Sequence, residues 1–426
     1  MGSFCCCRRR RPKDLHEKVL DQSDKTEISK SETRKDEARK DETRKDETHK
    51  NEEIKYSKTE SKQETDPRLD RAKGCVVGAL CGDAAGAVLE FHRGEITKTL
   101  CNKAVQMLGG GVFKVGPGQV TDDGELTMCL LHALVNSGGK FQETEVAKYY
   151  GKWYRSNPFD CGITIGNALS VADPDDPNPD DIKKEAEKLS QGSQSNGSLM
   201  RATPLAVFCH NMKTASAEDF DAEEWKEHKA CVFEAAKLDA SFTHPSPAVH
   251  YVEGLYIYMM TLIINGVKLA DVYNTIIDEI DHLDKEEYKD LILEWVDKSK
   301  ERKLGSLEHQ MGWMKHAFIC CLRYLRLAKE SEDLNEPLDS TFYEEAMVKI
   351  LMGGGDTDTN ACIAGGLIGA IVGFKGLPEE AKTKVLNWDN NKEEGHERPE
   401  FLVPSIYAEN LIERLYDSAA TDFEID

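Results

Sequence analysis

Two short stretches gather hard oxygen donors: "TDDGE" at 121–125 and "GGGDTDTN" at 353–360. Either could simply cap a helix, because Asp, Thr and Asn accept hydrogen bonds from the free N–H groups of a first turn and negative charge is favoured there. A cap explains one such turn well and two converging turns poorly. If the two helix starts face each other, Asp122, Asp123, Asp356 and Asp358, with threonine hydroxyls beside them, form a set of oxygen ligands suited to Mg²⁺, Mn²⁺ or Ca²⁺ and not to a soft metal. Without cations those carboxylates would repel one another and their pKa values would rise. A third stretch, "SQGSQSNGSLMR" at 190–201, offers Ser hydroxyls and backbone N–H groups around Gly192 and Gly197, the kind of concavity that cradles phosphate. It lacks the Lys-Ser/Thr ending of a P-loop.

The elements that must position these donors read as helices. Beyond Asp123, Leu126, Leu130, Ala133 and Leu134 recur on one helical face. The same periodicity runs through 250–267, 313–328 and 407–419, and the Gly/Ala-rich run from Ala361 to Phe374 is a core helix too short to span a bilayer. "LDRAKGCVVGALCGDAAGAVLEF", from 69 to 91, carries the small residues of closely packed helices. Period-2 alternation is scarce, and the breakers collect at 172–181 and 387–400. The fold class expected is all-α, one compact domain over 68–420.

The chain has 426 residues with 55 Lys+Arg against 77 Asp+Glu, a net charge of −22. Residues 1–66 are nearly balanced, so the remainder is strongly acidic and should repel duplex nucleic acid and anionic lipid. Thirteen cysteines without a CxxC pair or a zinc spacing, and no secretory h-region, point to reduced thiols in an intracellular, cytoplasmic protein. The beginning differs: "MGSFCCCRRRR" offers Gly2 for myristate, Cys5, Cys6 and Cys7 for palmitate, and Arg8–Arg11 for anionic headgroups. Two such signals are needed for stable anchoring. Residues 1–13 are therefore expected to hold the protein on the cytosolic face of a membrane. Residues 14–67, with the repeat "KDEAR KDETR KDETH", have almost nothing to bury and read as a disordered charged spacer.

Five stretches in order, "GDAAGAVLEF", "GQVTDDGELTM", "NGSLMRATPLAVF", "THPSP" and "GGDTDTNACIAGGLIGAIVG", resemble the motifs of the ADP-ribosylglycohydrolase family. That family includes the dinitrogenase-reductase-activating glycohydrolase and the ADP-ribosyl-acceptor hydrolases. The resemblance covers nearly all of 70–415 and implies a helical fold with a dinuclear Mg²⁺ site in a cleft. By position, Thr121, Asp122, Asp123, Asp356, Asp358 and Thr359 look like its metal ligands. Glu90 matches an acidic residue used near the metals. Gly197 and Ser198 resemble the diphosphate loop, and Asp160 and Gly162 of "PFDCGIT" a further substrate loop. Where many members read TDDT this chain has Gly124, which removes one hydroxyl from the ligand set.

The expected activity is Mg²⁺-dependent hydrolysis (Mn²⁺ as a substitute) of the glycosidic bond between ADP-ribose and a modified protein, carried out by a monomer. Asp123, Asp358 or Glu90 would serve as general base or stabilise the sugar cation. The alternatives are a catalytically silent ADP-ribose-binding or structural protein on this fold, and a hydrolase of another nucleoside-diphosphate linkage. His244 is expected either to line the cleft or to be a hydrogen-bonded structural histidine. Arg201 reads equally as a phosphate partner or half of an ion pair, Trp313 as core more than an adenine platform, and Cys320 and Cys321 as packed thiols.

Overall fold

The computed structural model describes residues 66–138, 140–210, 222–283, 285–390 and 394–418. The lipidation residues Gly2, Cys5, Cys6 and Cys7 and nearly all of the expected spacer lie outside the described residues. From Thr65 onward the chain forms one compact unit. It is built of sixteen α-helices among the described residues, with no β-strand among them. In chain order they are α1 Pro67–Gly86, α2 Lys98–Ala104, α3 Asp122–Asn136, α4 Glu143–Arg155, α5 Ile163–Leu169, α6 Pro179–Ser190, α7 Thr203–Cys209 and α8 Ala222–Ser241. The second half holds α9 Pro247–Ile264, α10 Leu269–Asp281, α11 Glu286–Ser299, α12 Met314–Asp333, α13 Ser340–Leu351, α14 Thr357–Val372, α15 Glu379–Leu386 and α16 Pro404–Ser418. The all-α expectation is met. The segments 172–189 and 273–305 contribute most of α6, the greater part of α10, and α11.

One helix pair organises the rest. Gly74, Gly78, Gly82 and Gly86 recur every fourth residue and so share a face of α1. A Cβ at these four positions would lie 2.3, 2.5, 2.1 and 2.4 Å from atoms of α14. No side chain fits in that seam, so the backbones touch and the start of α14 is pinned against the end of α1. Tyr343 and Tyr256 brace the seam by donating to the carbonyls of Gly78 (2.5 Å) and Ile363 (2.8 Å). Asp66 fixes where α1 begins, accepting from the Arg68 N–H at 2.9 Å, with Pro67 in the first turn.

The remaining helices wrap this pair. α9 is apolar nearly all round and buried along most of its length, which is why it sits inside, against α8, α7 and α14. It is the one described helix long and apolar enough to cross a membrane. α3 is buried from Asp122 to Val135, so its acidic first turn enters the interior with its apolar face.

Candidate active site

The starts of α3 and α14 open into one cleft, and their caps come from elsewhere. At α3 the carboxylate of Asp83, on α1, accepts from the Thr121 N–H (2.9 Å), the Thr121 hydroxyl (2.8 Å) and the Gly124 N–H (2.8 Å). At α14 the Glu90 carboxylate accepts from the Thr357 N–H (2.8 Å) and its hydroxyl (3.1 Å). Two outside carboxylates thus take donors at both helix starts, and Asp358 Oδ1 takes a further one, the Thr359 N–H at 2.9 Å. Asp122, Asp123 and Asp356 are left without a capping role. The Gly124 departure has a steric reason: a Cβ there would lie 2.6 Å from the Val120 Cβ and 2.9 Å from Asp83 Oδ2.

Seven carboxylates meet around this point: Asp83, Glu90, Asp122, Asp123, Asp160, Asp356 and Asp358. Oxygens of Asp83, Asp123 and Asp358 lie within 4.8 Å of one another, and so do those of Glu90, Asp356 and Asp358. Thr121 Oγ1 and Thr359 Oγ1 approach Asp123 Oδ2 at 3.3 and 3.4 Å. Asn196 donates to Asp356 at 2.8 Å, and the Gly162 N–H donates to Asp122 at 3.2 Å. None of the seven forms an ion pair with Lys or Arg among the described residues. Asp123 Oδ1 is buried with no hydrogen-bond partner.

Burial, followed by mutual repulsion, raises the pKa values. Asp122, Asp123 and Asp358 are pushed well above the usual carboxylate range. Glu90 and Asp160 rise to about 7, Glu90 through burial and the charge of Asp356, Asp160 through burial and the charge of Glu90. Burial also lifts Asp83 to about 7, against the pull of its three donors. Surplus negative charge, an orphaned buried oxygen and all-oxygen chemistry fit hard divalent cations.

The cleft has a volume of about 290 Å³, with Asp160, Gly162, Gly197 and His244 in its walls. Gly197 is tight: a Cβ would lie 3.0 Å from Ile165 Cδ1 and 3.1 Å from His244 Cε1. Ser198 is fully buried behind this wall. His244 is both things expected of it. Its ring reaches the cleft wall, yet Nε2 lies 2.8 Å from Ser195 Oγ and Nδ1 2.7 Å from Thr243 Oγ1. Burial, with the Arg201 charge, holds its pKa well below the usual value, so the ring is neutral.

Arg201 resolves as a structural ion pair: its Nε donates to Asp239 at 3.0 Å, both side chains are fully buried, and the guanidinium covers the Tyr150 ring. Trp313 precedes α12 instead of sitting within it; its indole N–H donates to Gln194 at 3.1 Å beside a neighbouring hollow. Cys320 and Cys321 are buried free thiols. Sequence reading missed Asp83 and Asn196 as partners of the acidic set. It also missed Arg398, whose Nε and Nη2 grip Glu125 at 2.6 and 3.0 Å. The same guanidinium donates to the Ser156 carbonyl and hydroxyl at 3.2 and 2.7 Å, below the loop that carries Asp160.

Residues 64–421 match the sequence model of the family described as ADP-ribosylglycohydrolase. The chain belongs to the ADP-ribosylglycohydrolase family. Among its relatives, a protein of Acanthamoeba polyphaga mimivirus that carries ADP-ribosyl glycohydrolase as a provisional name is 30% identical over 74% of this chain and 91% of its own. The ADP-ribosylarginine hydrolase Tri1 of Pseudomonas putida is 26% identical, covering 84% of this chain and 81% of its own. The bovine (Bos taurus) ADP-ribosylhydrolase ARH3 is 23% identical, over 80% and 93% respectively. A solved structure titled ADP-ribosylglycohydrolase-related protein complex shares the fold, with a TM-score of 0.54 at 20% identity, covering 83% of this chain and 99% of that one. The ADP-ribosylglycohydrolase fold is thus the frame that holds the acidic cleft.

Proposed function

We propose that this protein is a magnesium-dependent hydrolase that releases ADP-ribose from a modified protein side chain. One observation carries the reading: Asp83 and Glu90 cap the starts of α3 and α14, so Asp122, Asp123 and Asp356 cap neither helix and are free to serve a ligand in the cleft, beside Asp358, which also accepts from the Thr359 N–H at 2.9 Å. A structural protein needs no such arrangement, since a single acidic cap per helix would suffice. The family membership and the relatives named as ADP-ribosyl hydrolases support the substrate class.

Asp122, Asp123, Asp356 and Asp358, with the hydroxyls of Thr121 and Thr359, would hold two Mg²⁺ ions, or Mn²⁺ in their place. When bound, such ions supply Lewis-acid chemistry to the ribose hydroxyls and the attacking water. The chain's own groups do the rest. Breaking the bond at the ribose anomeric carbon develops positive charge on the sugar, which the carboxylates of Asp123, Asp358 and Glu90 stabilise. Glu90 lies beside Asp356 and Asp358 with one oxygen anchored by Thr357, a position from which it could take and return a proton at the reacting centre. The loop around Gly197, kept narrow by Ile165 and His244, would offer its backbone N–H groups to the diphosphate. Asp160 and Gly162, which line the same cleft, would form a further substrate-contacting loop.

The test is release of free ADP-ribose from arginine-modified and serine-modified proteins, with Mg²⁺ and with EDTA. Magnesium-dependent release from either supports the reading and names the linkage, while release unaffected by EDTA rules out the metal role. The Pseudomonas relative, named for ADP-ribosylarginine, makes the arginine substrate the first to try.

We also propose that the N-terminus tethers this activity to the cytosolic face of a membrane, on the strength of Gly2, Cys5, Cys6, Cys7 and the arginines that follow. In cell fractionation, a Gly2→Ala variant with Cys5, Cys6 and Cys7 changed to Ser should leave the membrane pellet; if it stays, there is no acyl anchor.

A further inference from the structure

The rim of the acidic cleft is apolar where its floor is charged. Phe91 is 52% exposed, Ile163 85% and Met311 38%, and all three line the cleft. Phe91 directly follows Glu90 and holds φ at +53°, a left-handed conformation that is uncommon for a bulky residue. Strain of this sort persists only where the surroundings enforce it. Here the support is a row of rings. Phe91 meets the edge of Phe113 at 5.7 Å, Phe113 meets Phe159 at 6.0 Å, and Phe159 stacks on His396 at 4.2 Å. His396 in turn is tied to the Phe113 carbonyl at 2.6 Å. The row is therefore built: its exposed end, Phe91, follows Glu90 in the chain, and its half-buried Phe159 precedes Asp160.

From this we infer that the Phe91 row is the docking surface for the polypeptide that carries the modified side chain, and that it makes the enzyme prefer protein-borne ADP-ribose over the same linkage on a free amino acid. The inference rests on the function proposed above and deepens it. Asp122, Asp123 and Asp358 are buried while Phe91, Ile163 and Met311 are exposed, so a modified side chain that reaches the carboxylates leaves the acceptor's backbone across the rim. At its acceptor end a free ADP-ribosyl amino acid has only a charged ammonium and carboxylate and would leave the aromatic row wet. A flanking apolar side chain would cover it, and exposed aromatics beside a site are typical anchors for such contacts. The surrounding carboxylates and the acidic chain favour basic residues beside that apolar one.

The experiment compares kcat/KM for an ADP-ribosylated protein and for the free ADP-ribosyl amino acid of the same linkage, using the full chain. Phe91→Asn removes the ring while keeping a residue that tolerates positive φ. The ratio of protein to free substrate should fall about tenfold, through KM for the protein, as expected for loss of an aromatic anchor. Phe91→Tyr should restore it. Leu334→Asn, at an exposed leucine that does not line the cleft, should leave the ratio as it is. An equal fall on both substrates would overturn the inference, because Phe91 would then be acting through Glu90. An unchanged ratio, or a wild-type chain without preference for the protein, would overturn it too while leaving the hydrolase reading intact. Release from neither substrate by the wild type would remove both.

Discussion

Two alanine substitutions on one face of α1 separate packing from catalysis. At Gly86 a Cβ would lie 2.4 Å from the Asp358 Cα and 2.4 Å from the Thr357 carbonyl oxygen, against 3.4 Å for the near edge of ordinary contact. Gly86→Ala therefore pushes the first turn of α14 away by about 1 Å, and Asp358 moves with it. A misplacement of that size costs on the order of 100-fold in rate when it falls on reacting groups. Gly74→Ala makes a clash of the same severity, 2.3 Å to the Gly369 carbonyl oxygen, but about 18 Å further along the helix at 1.5 Å per residue. Overpacking should cost each variant about 1–3 kcal/mol, offset by up to about 1 kcal/mol because alanine is the better helix former. Urea unfolding should thus report similar losses for both. ADP-ribose release should fall about 100-fold for Gly86→Ala and far less for Gly74→Ala. Equal activity losses, or a fully active Gly86→Ala protein, would refute the claim that the glycine seam sets the position of the acidic turn.

Other outcomes follow from the same contacts. Asp83→Asn puts an amide where three donors converge, so release and Mg²⁺ affinity should both drop by about 10–100-fold with the helical circular dichroism retained; unchanged affinity would mean that Asp83 serves the fold alone. Arg398→Met leaves Glu125 buried without its cation, held only by the Trp153 indole N–H at 2.7 Å, and should cost about 3–5 kcal/mol in urea unfolding. Adding Glu125→Gln should recover part of that loss, and no recovery would show that Arg398 acts through the Ser156 loop. Raised carboxylate pKa values mean that the folded, metal-free chain binds more protons than the unfolded one between the ordinary carboxylate range and about 7. Its stability in EDTA is then full at the acidic end and is lost as pH rises toward neutrality. Mg²⁺ should flatten that slope, and an identical slope with and without Mg²⁺ would place the repulsion elsewhere.

Much of the site was legible because its signals are local. The paired aspartates sit at helix starts, and donor type and spacing along a few residues are enough to show them. The small residues of 69–91 announced close helix packing, although nothing in them said that α14 was the partner. The pieces missed or left open are those whose meaning depends on contacts distant in sequence. Asp83 caps a helix that begins 39 residues later, and Glu90 one that begins 267 residues later. Arg201 was ambiguous until Asp239 stood beside it, and Arg398 looked like one charge in a polar loop until Glu125 met it. Phe91 carried no signal at all, since a strained φ and a row of rings are properties of the folded chain.

The central claim is that the first turns of α3 and α14 together hold divalent cations for catalysis. Its most direct test is Mn²⁺ and Mg²⁺ binding to the metal-free protein by calorimetry, for the wild type and for Asp123→Ala and Asp358→Ala, each paired with the release assay. The account predicts two ions per chain in the wild type, fewer in each variant, and loss of ADP-ribose release in step with the lost ion. Wild-type stoichiometry retained in both variants, or release that persists after binding is lost, would contradict it.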